Sequence, residues 1–469
     1  MADSQTGAAP SIDAVGADEV AHIDVSKSIG DVRVVLKGLS RIKSSVIYQD
    51  LIGLKSASTL EELFRRLDDT HGHLNKLGLF KSVVSNVDRG PTPGDIDVVF
   101  QFEEKTPSYS LGVTTNQRAE ANIELKGEVP GIFGTCNSAS LQLNNAGYGS
   151  QQIAGSYYMP RNFGLSNFTS VFQVFASQRD LSNYSSFHTT TKGLSFTLSD
   201  VSKRHQLAWE ASVNDLYPVF NERRRASETV LRHAGRSLKN AFSYLFLLDE
   251  LRGEGIPTSG QCTQFKFEAG LSGGDRQFFK FDYGMLYARH ILDKYIMHLN
   301  LSMGYIRPFG NLRNGISLLD RFHFTANGGA GTAFRGFGFH GIGPCDQGSI
   351  FNDEKGCWQQ MSEHTGGDCY GNIQLALHCP IEYSNYKFPL AFCFLNVGSL
   401  TSREERQPRE SVYGHLLRST RVSLGAGMSM SVAPGCWLEA FVAHPILYSP
   451  TDTISRLQMG LRFKHSMME

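Results

Sequence analysis

The chain has 469 residues, with 45 Lys and Arg balanced by 45 Asp and Glu; a formal net charge of zero offers no broad basic field for nucleic acid. Glycine (47 residues) and phenylalanine (31) are abundant while only 19% of residues are charged, which suits a β-rich chain with many turns. The 8 cysteines form no C-x-x-C pair and no zinc-ribbon spacing, so they read as scattered thiols; Cys345, Cys357 and Cys369, within one long loop, leave a single bridge open as the alternative.

Residues 1–30 carry no basic residue before Lys27 and no apolar core of a signal sequence, so they are expected to form a disordered, mildly acidic leader. Residues 31–105 mix α and β. "VRVVLKG" predicts a strand, and "STLEELFRRLDDTHGHLNKLG" predicts a helix with Thr59 as its cap, Glu62 reaching back, and Leu60, Leu63, Phe64, Leu67, Leu74 and Leu77 along one stripe. "LFKSVVSNV" and "GDIDVVFQFEE" follow as strands, the second with Ile96, Val98, Phe100 and Phe102 alternating with polar residues.

From Ser108 onward the helical period gives way to alternation over segments of about ten residues. In "QFFKFDYGMLY", Phe279, Phe281, Tyr283, Met285 and Tyr287 share one face, and Lys280, Asp282 and Gly284 the other. "HQLAWEASVN", "QFKFEAGL", "IMHLNLSMGY" and "RVSLGAGMSMSV" repeat the pattern. A soluble sandwich also alternates. Charges and glycines on the polar face, and about sixteen such segments, favour a closed transmembrane wall around a wet lumen. Runs such as "FPLAFCFL" are too short for a spanning helix.

"AFRGFGFHGIGP" contains Gly336, Gly338 and Gly341 in G-x-G-x-x-G spacing. No strand leads into it and no helical period follows, so it lacks the helix N-terminus that a phosphate loop requires; no nucleotide is expected. What stands out is Arg335 between Phe334 and Phe337. The chain has no G-x-S-x-G elbow and no H-E-x-x-H, so no enzyme, cofactor or metal site is expected.

With this module ahead of the wall, and with "DRFHFTANGG", "FRGFGFHGIGP", "FLNVG" and the closing "LQMGLRFKH", the chain resembles the core barrels of the mitochondrial sorting and assembly machinery (SAM complex), relatives of bacterial BamA. The resemblance implies a transmembrane β-barrel of about sixteen antiparallel strands at 106–469, preceded by one small α+β domain of the POTRA (polypeptide-transport-associated) type at 31–105. A long loop around 310–368 would fold inward. Arg335, Gly336 and Phe337 would form its docking tip between strands eleven and twelve. Its wall partners would be Asn396 and Gly398 of "FLNVG", where bacterial relatives have an aspartate at the first position. Because a neutral amide is a weaker acceptor, Glu439 is a further partner.

In the last strand, Gln458, Gly460 and Phe463 resemble the sorting signal of mitochondrial barrels, with His465 departing from its final hydrophobic position. The first strand, with Ser110, Leu111, Gly112, Val113, Thr114 and Thr115, would meet the last at a lateral gate and template precursor strands. The implied work is insertion of unfolded β-barrel precursors into the mitochondrial outer membrane. Peripheral SAM subunits and the lipid bilayer would be the partners, no nucleic acid would be bound, and the N-terminal domain would lie in the intermembrane space. A passive pore, or a plastid or bacterial polypeptide-transport barrel, is the alternative.

Overall fold

The computed structural model describes residues 28–115, 121–146, 149–161, 168–253, 256–292, 294–310, 315–324, 334–381, 390–405, 411–433 and 436–463. Nearly all of the expected leader and His465 lie outside the described residues. So do the side chains of Val113, Thr114, Thr115 and Phe463. The chain divides into two compact units, residues 1–106 with 130–137, and residues 107–129 with 138–469.

The first unit builds a three-stranded sheet in which Ile96–Glu104 lies centrally, parallel to Val32–Lys37 and antiparallel to Phe80–Arg89. Its core is the expected inward set of that central strand: Val98 and Phe100 are fully buried and Phe102 nearly so. The helix Leu60–Lys76 packs Leu63 and Leu74 into the same core. Thr59 caps it, its hydroxyl accepting from the Glu62 N–H at 3.3 Å.

Two details differ from the sequence reading. The Glu62 carboxylate reaches back to the N–H and hydroxyl of Ser58 rather than to Thr59. Phe64 is 45% exposed, at the margin of the helix face that buries Leu63 and Leu74. The turn after Lys37 is fixed by Glu104, whose carboxylate accepts from the backbone N–H groups of Ser40, Arg41 and Ile42. Burial alone would raise its pKa, but these bonds and the Ser40 hydroxyl hold it down at about 2.

The second unit is dominated by a sheet of 16 strands, each antiparallel to its neighbours, running in order from Ser108–Thr115 to Leu457–Phe463. Its faces are inverted relative to a water-soluble sheet. On Tyr295–Pro308, His298, Asn300 and Ser302 are buried while Met303 and Tyr305 are exposed. On Cys369–Pro380, Asn372, Gln374 and His378 are buried while Ile373, Leu375 and Leu377 are exposed. Tyr109, Leu111, Leu141, Phe279, Leu395, Met428 and Met459 continue the exposed apolar face across the sheet. No helix among the described residues is long and apolar enough to cross a membrane.

Most strands in the middle of the sheet have 14 or 15 residues, as in Phe278–Ile291 and Gly235–Asp249, whereas the terminal strands have only 8 and 7. Among the described residues no ladder joins those two strands. Part of the long loop forms a hairpin, Cys345–Asn352 with Cys357–His364, that adds to Arg224–Arg225 as a separate three-stranded sheet. Cys345 and Cys357 sit at opposite ends of that hairpin, and they and Cys369 are free thiols.

Candidate functional site: the inward loop and its docking wall

The connection between the eleventh strand, Tyr295–Pro308, and the twelfth, Cys369–Pro380, returns to the buried face of the sheet at two places. The first contact is made by residues 316–324. Asp320 and Arg276, each only 5% exposed, pair at 3.4 Å, and Lys280 Nζ donates to the Asp320 carbonyl at 2.7 Å while lying over the Phe322 ring. Phe322 packs edge-on against Tyr370, whose hydroxyl donates to Asp282 at 2.6 Å.

The second contact is the Arg335 tip. Its guanidinium donates to Glu439 Oε2 at 3.0 Å, with both side chains 8% exposed. It also lies 5.1–5.2 Å from the ring centres of Phe392, Phe394 and Phe441, within cation–π range. The aromatic strip and the carboxylate suit a planar, permanently charged guanidinium; an ammonium would lose both the stacking and the directional fork.

Gly336 has φ of +97°, a region an L side chain adopts only with strain, and a Cβ there would sit 3.2 Å from Ser423 and Ala443. Its N–H donates to Gln458 Oε1 at 3.0 Å, and Gln458 Nε2 donates to the Phe337 carbonyl at 2.7 Å. One side-chain amide thus clamps the backbone on both sides of the Gly336–Phe337 peptide. The Ser423 hydroxyl donates to the Arg335 carbonyl at 2.6 Å.

Phe337 and Phe334 are buried in a cluster with Phe322, Phe324, Tyr370 and Leu400. A Cβ at Gly398 would come within 2.7 Å of the Phe334 ring, so this wall glycine is the space that the ring occupies. Between Gly336 and Gly341 the chain opens no helix; it pairs with residues 453–455, which is incompatible with a phosphate-binding loop.

Asn396 does not take the part expected of it. It is fully buried on the wall, yet among the described residues neither its amide nitrogen nor its oxygen has a hydrogen-bond partner, and Arg335 bonds to Glu439. A carboxylate two strands away supplies charge as well as an acceptor, and it outcompetes a neutral amide. Gly460 lies directly across the ladder from Glu439, and Phe463 across from Cys436.

Sequence reasoning missed the pair Arg421–Asp452. Its bonds of 2.7 and 3.4 Å, with the Asp452 side chain fully buried, pin the turn before the last strand. It also missed the loop-holding role of Gln458, which the sequence reading assigned to a signal. The inward-facing polar residue on that strand was the available clue. In the first strand, Tyr109 and Leu111 are exposed and Ser110 and Gly112 fall on the opposite face by alternation.

A sixteen-stranded antiparallel sheet with one apolar exposed face, one polar buried face and a loop returned onto the polar face defines a wall of the outer-membrane type. The description of the Omp85 superfamily domain matches residues 132–463, and the chain belongs to that superfamily. It is 25% identical to the sorting and assembly machinery component 50 homolog A of Xenopus laevis, covering 92% of this chain and 90% of that one. The human homolog is 25% identical, covering 91% and 88%, and a SAM50-like protein of Schizosaccharomyces pombe 26%, covering 87% and 82%. In fold it is similar to BamA of Haemophilus ducreyi lacking POTRA domains 1–3 (TM-score 0.74, 18% identity, 92% of this chain and 83% of that one). It is also similar in fold to CdiB of Acinetobacter baumannii (TM-score 0.51, 13% identity, 92% and 73%).

Proposed function

We propose that this chain folds and inserts β-barrel precursors into the mitochondrial outer membrane, as the core of a sorting and assembly machinery. The observation that carries this reading is the wall itself: its inner face is gripped by the Arg335 loop while its two terminal strands are its shortest. Backbone groups facing lipid must be paired, so the sheet closes by bringing the first strand to the last. A seam of 8 and 7 residues separates at a lower cost than the 14-residue ladders elsewhere.

A precursor strand would then add to the free edge of Ser110–Thr115 by main-chain hydrogen bonding, with no covalent chemistry. The first unit, read as a POTRA-type domain in the intermembrane space, would receive the unfolded chain, and peripheral subunits would complete the assembly. A loop packed against the inner wall by Phe334, Phe337 and Phe322 argues against a passive pore.

The test is site-specific photocrosslinking from Ser110 and Gly112 during import of a porin precursor into mitochondria carrying this protein. Adducts with the precursor's terminal strand are expected. Adducts only with the chain's own last strand, at every stage of import, would refute the insertase reading.

A further inference from the structure

The bonds of the docked loop fall on one edge of the segment that leads into the last strand. The Ala443 N–H donates to the Arg456 carbonyl at 2.7 Å, and the register continues as Phe441 opposite Gln458 and Glu439 opposite Gly460. In an antiparallel ladder, Arg456, Gln458 and Gly460 therefore point their backbone groups at the strand Cys436–Leu447, and the residues between them point at the opposite edge.

On that opposite edge Ser455 N–H donates to the Gly336 carbonyl (3.1 Å), Gly338 N–H donates to the Thr453 carbonyl (2.8 Å), and Thr453 N–H donates to the Gly341 carbonyl (2.9 Å). A β-bridge between Phe337 and Ile454 completes this short pairing. The next groups on the same edge, at Leu457, Met459 and Leu461, have no ladder partner among the described residues. Gln458 sits at the boundary with its amide on the loop. Among the described residues the edge is occupied as far as the Ser455 N–H and has no ladder partner from Leu457 onward.

We propose that the docked loop is an end-stop that fixes the register in which the first strand of this same chain, Ser108–Thr115, adds to the open edge of the last. The inference rests on the seam proposed above. Three observations select this occupant. Ser108–Thr115 is the other terminal strand of the same sheet; its 8 residues match the 7 of Leu457–Phe463; and its outward Tyr109 and Leu111 would continue the apolar face of Leu457 and Met459.

A slip of one residue would turn every side chain to the wrong face, but a slip of two keeps the faces matched, so alternation alone does not choose between registers two apart. The loop does choose. With both edge groups of Thr453 and the N–H of Ser455 already bonded, a strand cannot continue its ladder past Ser455.

The test uses the full-length protein in lipid nanodiscs, with the photoreactive residue p-benzoylphenylalanine replacing Met459 and its attachment sites mapped by mass spectrometry. With the loop intact, attachment to the first strand is expected at one residue. Gly338→Pro deletes the N–H given to Thr453, and Gln458→Ala releases the clamp without touching the edge bonds directly. In either, attachment two positions along the first strand should rise about fivefold, the population shift that losing about 1 kcal/mol produces. The same single site in all three proteins would overturn the end-stop while leaving the seam intact. No attachment to the first strand even with the loop intact would overturn the seam itself.

Discussion

Replacing Arg335 by Ala tests the centre of the docking site. The change deletes the guanidinium that pairs with Glu439 at 3.0 Å and leaves that carboxylate 8% exposed beside Phe441, Phe392 and Phe394. Removing one partner of a buried pair costs about 3–5 kcal/mol, mostly the penalty of the stranded charge. At about 1.4 kcal/mol per tenfold, even the lower figure raises the undocked population more than a hundredfold. Hydrogen exchange reads this directly, since the Gly336 and Gly338 amides are bonded to Gln458 and Thr453 only when the loop is seated.

Both amides should exchange about a hundredfold faster in Arg335→Ala. Imported porin should assemble more slowly, while the variant itself stays inserted. Because the penalty includes a buried carboxylate that has lost its guanidinium, Arg335→Met combined with Glu439→Leu should be less perturbed than either single change. Unchanged exchange at Gly336 in Arg335→Ala, or a double variant worse than the sum of the singles, would refute the reasoning.

Gly336→Ala should loosen the same amides by about 1–2 kcal/mol, as an L residue at φ +97° is strained and its Cβ meets Ser423 and Ala443; exchange at Gly338 measures it. Asp452→Asn weakens the pair with Arg421 and should speed exchange at Ser449, whose N–H donates to Asp452, with Arg335–Glu439 unaffected in a double-mutant cycle. In the first unit, the folded-state pKa of Glu104 lies below its ordinary value. Its stabilisation is therefore complete above pH 4.5 and lost as pH falls toward 2. Exchange at Ser40, Arg41 and Ile42 should accelerate through that window, and Glu104→Gln should abolish the acid dependence.

Alternation made the wall legible. The residues that the period of two assigned to opposite faces, such as Met303 and Tyr305 against Asn300 and Ser302, are exposed and buried accordingly, because a pleated strand leaves a side chain no other choice. The N-terminal strands and the Thr59 cap were legible for the same local reason. The docking contacts were legible only in part. Arg335 announced itself as a cation among aromatics, and charge singled out Glu439 as an acceptor besides Asn396, but with that acceptor 104 positions away only the folded wall shows that Glu439 takes the bond. Arg421–Asp452 and the hairpin 345–364 left no periodic trace, since one depends on a turn folding back and the other on pairing with two residues near position 224.

The docking contacts are distributed unevenly over the wall, and this bears on how a seam would open. Arg335, Gly336 and Phe337 bond to Ser423, Glu439 and Gln458, which belong to the last three strands, while the ring strip on Leu390–Thr401 adds the strand before them. The loop therefore staples four neighbouring strands, including the last, to a single buried tip. The other end of the sheet has no comparable tie among the described residues: the inner faces of Ala121–Val129 and Ser138–Ala146 are joined by hydrogen bonds such as Gln142 to Glu124 rather than by a packed loop. Separating the ends by moving the last strand would break the Gln458 clamp and the bridge to Ile454 together. Moving the first strand breaks only the seam. Opening is therefore expected on the side of Ser108–Thr115, the side whose edge is proposed to receive a precursor, with the loop remaining seated.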